Sequence, residues 1–287
     1  MTRTIGNPLS WMADAAFGAG RHAGAATDAL RGTVSAPPQV RRLTLEDLKS
    51  ALRKGLDDFT SLRSDVIFLI AIYPILGIAL SLVAFHMARL PMLFPLAAGF
   101  TLLGPMVATG LYEMSRQREA TGQAGWGAAF SVMTAPVIVP VLVLGMVLMG
   151  IFIAWMFAAS VIYNATLGPQ PPTSVGGFLG DVLTTAPGWT MMVLGVGVGF
   201  VFAGAVLVLS MISFPMLIDR RAGVTVAVLT SVKVARENPR IVAIWGLLVA
   251  VVMVLGTLPA FLGLVIVLPV LGHATWHLYR AAVPGEA

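Results

Sequence analysis

Six stretches of this chain are long and apolar enough to cross a bilayer as helices: residues 66–88, 93–112, 131–162, 189–217, 241–259 and 260–279. A hydrocarbon core of about 30 Å requires roughly 20 apolar residues at helical rise. No water reaches that core to satisfy backbone N–H and C=O groups, so each segment must satisfy its own. Uniformly apolar runs suit helices, whereas barrel strands would alternate. The fold class that follows is all-α, a polytopic helical membrane protein with six transmembrane helices. Composition agrees: 57% of the 287 residues are hydrophobic and 11% charged, with a mean hydropathy of +0.89, which excludes an ordinary soluble domain. Stretches 131–162 and 189–217 exceed the required length and should tilt, kink or project.

Charge gives the orientation. Seventeen of the eighteen Lys and Arg fall in segments on one side of the six stretches, and only Arg89 falls on the other. Basic residues are retained on the cytoplasmic side during insertion, so both termini are expected there. The sequence pI of about 10.1 reflects cations flanking apolar stretches, a pattern that fits anionic lipid headgroups rather than nucleic acid. Cysteine is absent, which excludes disulfides, thiolate metal sites and thiol catalysis. No signal-peptide pattern precedes residue 66, so the first stretch is expected to serve as the insertion signal.

The chain divides into a flexible cytoplasmic arm (1–43), an amphipathic interfacial helix (44–65), the six-helix domain (66–280) and a short tail (281–287). Thr44 and Asp47 have capping-box spacing at the start of the amphipathic helix. Leu45, Leu48, Leu52, Phe59 and Leu62 recur at three-, four- and seven-residue intervals, with Lys49, Arg53 and Lys54 largely elsewhere. Such a helix lies in the membrane interface or packs against the ends of the bundle. The connection 164–188 is long and rich in Gly, Pro and Thr, with Asp181 its one charge.

An internal repeat is visible at an offset of 164 residues: Gly99 aligns with Gly263, Pro105 with Pro269, Tyr112 with Trp276 and Arg116 with Arg280. The fourth stretch ends similarly, with Pro215 followed by Asp219 and Arg220. These residues are read as structural or interface positions, and the chain as helical hairpins of one plan. Pro136, Pro140 and Pro215 are expected to kink their helices. The Gly-x-x-x-Gly from Gly195 to Gly199 suggests a close helix contact.

No Asp, Glu, Lys or Arg lies well inside any stretch, which removes the usual signature of a proton relay or voltage sensor. The polar pair of interest is His273 and His277, spaced i, i+4. Two imidazoles so placed can share a metal ion, yet no carboxylate neighbours them in sequence. The alternative is interhelical hydrogen bonding below a Trp276/Tyr279 belt.

The run Phe214-Pro-Met-Leu-Ile-Asp-Arg220, the later Ser231 and Asn238, and the ending from Leu268 to Arg280 resemble a family of bacterial predicted integral membrane proteins of unknown function (domain of unknown function 2189). Some of its members are labelled putative cytochrome c oxidase subunits. The resemblance covers residues 44–280 and supplies no catalytic residues. It implies a bacterial inner membrane location. The chain is therefore expected to be non-catalytic: a structural, assembly or accessory subunit of a membrane complex, with a respiratory oxidase as the class those labels imply. The alternatives are a transporter of a neutral or lipid-like solute, and a subunit binding haem or a transition metal through His273 and His277. No cofactor is otherwise expected. The expected partners are the bilayer, its anionic lipids and other membrane subunits.

Overall fold

The computed structural model describes residues 28–32, 36–61, 87–96, 104–220, 222–257 and 263–285. Among these the regular structure is helical, with one isolated bridge between Gly32 and Ala222. The stretch 66–86 lies outside the described residues, and 93–112 is described only at 93–96 and from 104 onward.

Helix α1 (Leu45–Ser61) starts as its spacing predicts. The Asp47 N–H donates to Thr44 Oγ1 at 3.2 Å and the Thr44 N–H donates to the Asp47 carboxylate at 2.8 Å. The buried face differs from the expected leucine stripe. Of that stripe Leu48 is buried, Leu52 packs against the core, Leu45 is about half exposed and Leu62 lies outside the described residues, while Ala51, Gly55 and Asp58 complete the buried face. The cause is close backbone approach, since a Cβ on Gly55 would lie 2.5 Å from the Ala274 nitrogen. The helix thus packs against the protein through small residues.

Helix α2 (Thr109–Thr121) ends at Gly122, whose φ of 77° lets its N–H reach the Arg118 carbonyl. The expected single span 131–162 is instead α3 (Trp126–Thr134) followed by α4 (Ile138–Thr166), interrupted at Ala135-Pro136-Val137. Pro136 accounts for the break, while Pro140 falls in the first turn of α4, where no intrahelical donor is needed. Connection 164–188 is not a plain loop, because it holds the apolar helix α5 (Val175–Thr184), capped by Ser174 Oγ at the Gly177 N–H. Thr185 then caps α6 (Ala186–Ser210) through the Gly188 N–H.

Between α6 and α7 (Ser213–Arg220) the helix is interrupted at Met211 and Ile212. Pro215 cannot donate to the Met211 carbonyl, and a hydroxyl from α8 (Val224–Glu237) repairs the turn before it. Ser231 Oγ donates to the Val208 carbonyl at 2.7 Å and accepts from the Ile212 N–H at 3.2 Å. Those two backbone groups would bond each other in an unbroken helix, so Ser231 is inserted into the ladder. Two further helices complete the described chain, α9 (Pro239–Thr257) and α10 (Leu264–Ala282).

Among the described residues three helices are long and apolar enough to cross a membrane: Ile138–Thr166, the α6–α7 unit Ala186–Arg220, and Pro239–Thr257, with mean hydropathies of 2.6, 2.6 and 2.2. Helix α10 matches the last apolar stretch, but its second half is polar and buried, with His273, Trp276 and Tyr279 inside the protein. Burial is concentrated at that end, where Phe214, Met216, Leu217, Ala227, Val234, Trp276, Leu278 and Tyr279 are all fully enclosed. Away from it the apolar helices are bare: Phe157 on α4 and Phe200 on α6 are more than 70% exposed. A surface of this kind is matched to hydrocarbon rather than to water.

The proposed repeat meets a difference. Pro269 sits within continuous α10, whereas Pro105 lies in the short helix Gly104–Val107, which breaks at Ala108 before α2. Gly99 and 66–86 lie outside the described residues. Tyr112 and Trp276 are both buried, and Arg116 and Arg280 are both ion-paired.

Replacing Ser231 with Ala should leave the buried Ile212 N–H unpaired. We expect a loss of about 1–3 kcal/mol in unfolding free energy, measured by denaturation in detergent. Ser210→Ala, which removes only a bond to the carbonyl of Val206 in the same helix, should cost less.

Candidate functional site

Helices α1, α2 and α10 converge on one buried carboxylate. Asp58 follows Gly55 on the packed face of α1, so the close crossing at Ala274 carries it between its neighbours. Ser115 and Arg118, three residues apart, reach it from α2, and His277 reaches it from α10. Ser115 Oγ donates to Asp58 Oδ2 at 2.6 Å. His277 Nε2 lies 2.9 Å from the same oxygen. Arg118 donates to Asp58 Oδ1 and, at 2.9 Å each, to Asp57 and Ser61 Oγ. His273 Nδ1 completes the set, 2.7 Å from Ser115 Oγ.

Burial alone would raise the Asp58 pKa, but the bonds from His277, Ser115 and Arg118 outweigh it and hold the carboxyl at about 2. Asp58 is therefore an anion and purely an acceptor. The single Ser115 proton points to it, so His273 must donate from Nδ1 to the hydroxyl. That leaves His273 Nε2 as a bare lone pair, fully buried and without a partner among the described residues.

The order of groups decides the chemistry. A nucleophilic triad places the imidazole between hydroxyl and carboxylate, where it can accept the hydroxyl proton. Here the hydroxyl lies between imidazole and carboxylate and is 1% exposed. The histidine pair does not converge on a shared point either: His277 Nε2 is directed at Asp58 and His273 Nδ1 at Ser115. Among the described residues no group of three or more His, Asp or Glu side chains is placed to hold a metal ion. His86 lies outside the described residues.

A second network joins most of the other residues singled out in the sequence. Tyr279 donates to Asp219 Oδ2 at 2.6 Å and accepts from Arg220 Nε at 3.2 Å. Arg280 bridges Asp219 and Glu119 at 3.3 and 3.2 Å, and Trp276 Nε1 donates to Glu119 at 3.0 Å. Arg116 forms a bidentate pair with Glu113. Trp276 and Tyr279 are thus interior tethers, not an exposed aromatic belt. Pro215 lies in α7 beside this network, whereas Pro105 and Pro269 take no part in it.

Asn238 fastens the arm. Its Oδ1 accepts the Leu43 N–H at 2.6 Å, and the Arg41 N–H donates to the Ala282 carbonyl at 2.9 Å. Between these networks lies an open cleft of about 700 Å³, lined among others by Arg41, Lys54, Asp58, Arg118, His277 and Arg280. Asp58 and Glu119 were not singled out from the sequence. For Asp58 a signal existed: Leu48, Ala51, Gly55 and Asp58 recur at intervals of three, four and three, placing a carboxylate on a helical seam.

Comparison with known proteins finds one family. Residues 93–219 match the family described as "Predicted integral membrane protein (DUF2189)". That is the family the sequence resembles, and the match runs from the second apolar stretch to Asp219. It includes Ser115 and Arg118 but not Asp58, His273 or His277. No curated protein and no solved structure matches the chain. The chain is an integral membrane protein built of apolar helices.

Asp58 gives a pH signature. Its folded pKa lies below the ordinary value of 3.8. Its stabilisation is thus complete above that value and lost as pH falls through about 2. Asp58→Asn should flatten this part of the stability curve. It should also cost about 1–3 kcal/mol at neutral pH, because Ser115 and His277 lose their charged acceptor while Arg118 keeps Asp57. Thermal melts of both proteins in detergent between pH 2 and 7 test this.

Proposed function

We propose that the protein is a non-catalytic, multi-pass protein of the bacterial inner membrane, acting as a structural, assembly or accessory subunit of a membrane complex. In this reading six helices cross the bilayer, the arginine-rich end with both termini faces the cytoplasm, and α5 lies on the far side. One observation carries the functional part. The most apolar window of the α6–α7 unit is 6% buried, against 33% for α4 and 28% for α9. Its exposed flank carries Val193, Val196, Phe200 and Val201. The three membrane-length helices contain no Asp, Glu or Lys and no Arg before the closing Asp219-Arg220 of α7, apart from Arg240 at the start of α9. Many of the ionisable groups fasten one end, and the free surface of these helices is an apolar flank suited to another membrane subunit. The oxidase labels carried by similar family members make a respiratory complex the class to try first.

The glycines of α6 support an available flank. A Cβ added at Gly199 would meet Trp155, while one added at Gly195, Gly197 or Gly204 would meet nothing within 4 Å. The close contact expected from Gly-x-x-x-Gly therefore forms at one position among the described residues.

A second reading rests on the bare Nε2 of His273. An enclosed imidazole lone pair is a ligand in search of a proton donor or a metal, which keeps a haem- or metal-binding subunit as the alternative.

Two measurements separate these readings. Because the native chain has no Cys, single-Cys variants at Gly122, Lys233 and Asp181 report sidedness. An impermeant reagent should label Asp181→Cys alone in intact spheroplasts, and the reverse pattern would overturn the orientation. A photo-crosslinker at Phe200 should capture one defined membrane chain in mild detergent. Capture of lipid alone, together with one equivalent of haem or metal lost in His273→Gln/His277→Gln, would replace the accessory-subunit reading with the cofactor-binding one.

A further inference from the structure

A smaller cleft of about 330 Å³ opens where the arm meets the turn between α8 and α9, and Arg42, Leu45, Glu237, Asn238, Arg240 and Ile241 are on its walls. Its two guanidiniums lack the ion pairs that fasten the polar end of the helices. Arg41, Arg116, Arg118, Arg220 and Arg280 each hold an acidic side chain of this protein. Arg42 and Arg240 form no ion pair or hydrogen bond with the described residues, although Glu237 lies on the same cleft. Two cations against one carboxylate leave the cleft net positive.

Arg42 is not on a loose tether. The residues on either side of it are clamped, Arg41 through its N–H to Ala282 and Leu43 through its N–H to Asn238. The backbone between these two bonds delivers the Arg42 side chain to the cleft. Arg240 is the second residue of α9, a helix of 19 residues. At 1.5 Å per residue it spans about 28 Å, close to one hydrocarbon thickness. Arg240 therefore sits at headgroup depth when α9 crosses the bilayer. The half-exposed Leu45 beside it offers an apolar wall.

We propose that this cleft binds the phosphodiester of an anionic phospholipid, with Arg42 and Arg240 donating to its oxygens and Leu45 facing the glycerol and first acyl carbons. Guanidinium forks match phosphate oxygens geometrically, and an anionic headgroup, unlike a zwitterionic one, brings no ammonium to repel them. The proposal rests on the reading that α9 is a membrane span. It does not depend on which leaflet the cleft faces.

The test uses the full-length protein in detergent micelles, titrated with phosphatidylglycerol or phosphatidylcholine and read by native mass spectrometry. One phosphatidylglycerol should bind in preference to phosphatidylcholine. Arg42→Gln/Arg240→Gln should weaken it roughly 30-fold, at about fivefold per arginine. The control is Arg53→Gln/Lys233→Gln, which removes the same charge from two cations outside the cleft and should retain binding. Equal weakening by both double variants would reduce the effect to general surface charge and overturn the site. Equal binding of the two lipids, or full displacement by millimolar inorganic phosphate, would overturn the lipid as occupant. Since micelles have no sidedness, reversed labelling of the single-Cys variants would alter the leaflet and leave this result standing. Matching melting temperatures across the variants confirm that each remains folded.

Discussion

A carboxylate removed from water must find its compensation inside the protein, and the packing of one end of this molecule follows from how Asp58 does so. The charge is met by a guanidinium, a hydroxyl and an imidazole from two other helices. The imidazole reaches it because Gly55 and Ala274 let α1 and α10 touch backbone to backbone. A larger residue at Gly55 would separate the helices and strand the ion. Close packing and charge compensation are thus a single requirement: the small-residue seam exists so that the polar cluster can close. Stripping Asp58 of its donors would leave a poorly compensated buried charge, which is why such clusters are costly to break even when their net contribution is small.

The same logic governs the neighbouring network, with a different outcome. Asp219, Glu119, Arg220 and Arg280 are only partly enclosed, so solvent screens them and each pair contributes little by itself. Their value is directional. Tyr279 and Trp276 hold their polar atoms on these acids while their rings fill the core. The aromatic volume stabilises, and the hydrogen bonds fix its orientation.

Much of this could be read in the sequence, and the exceptions have physical causes. Apolar run length identified helices because lipid leaves few alternatives. Thr44 and Asp47 were legible because capping is local, within four residues. The break near Pro136 was legible because proline has no donor. The partners of His273 and His277 were not, because Ser115 and Asp58 lie more than 150 positions away along the chain. The seam of α1 was misread for a related reason. Leucine periodicity reports where apolar surface lies, whereas a helix crossing selects the smallest residues, and Gly55 and Ala51 carry no hydropathy signal. Trp276 and Tyr279 looked like interfacial aromatics because an aromatic near Arg at a helix end usually is one. Here the cover supplied by α1, α2 and α7 puts them inside.

The pairing of α1 with α10 also has a consequence in time. Asp58 and His277 are 219 residues apart in sequence, and the Arg41 N–H waits for the carbonyl of Ala282. A ribosome adding about 5–20 residues per second needs roughly 10–40 s to cover that interval. Throughout it the first helix has been made and the surface that receives it has not. Its carboxylate stays hydrated, its glycine seam stays open, and its basic residues have only the lipid surface to meet. Helix α10, made after α1, therefore closes it, so a chain truncated before residue 264 would carry five of the six apolar stretches and still lack the lock.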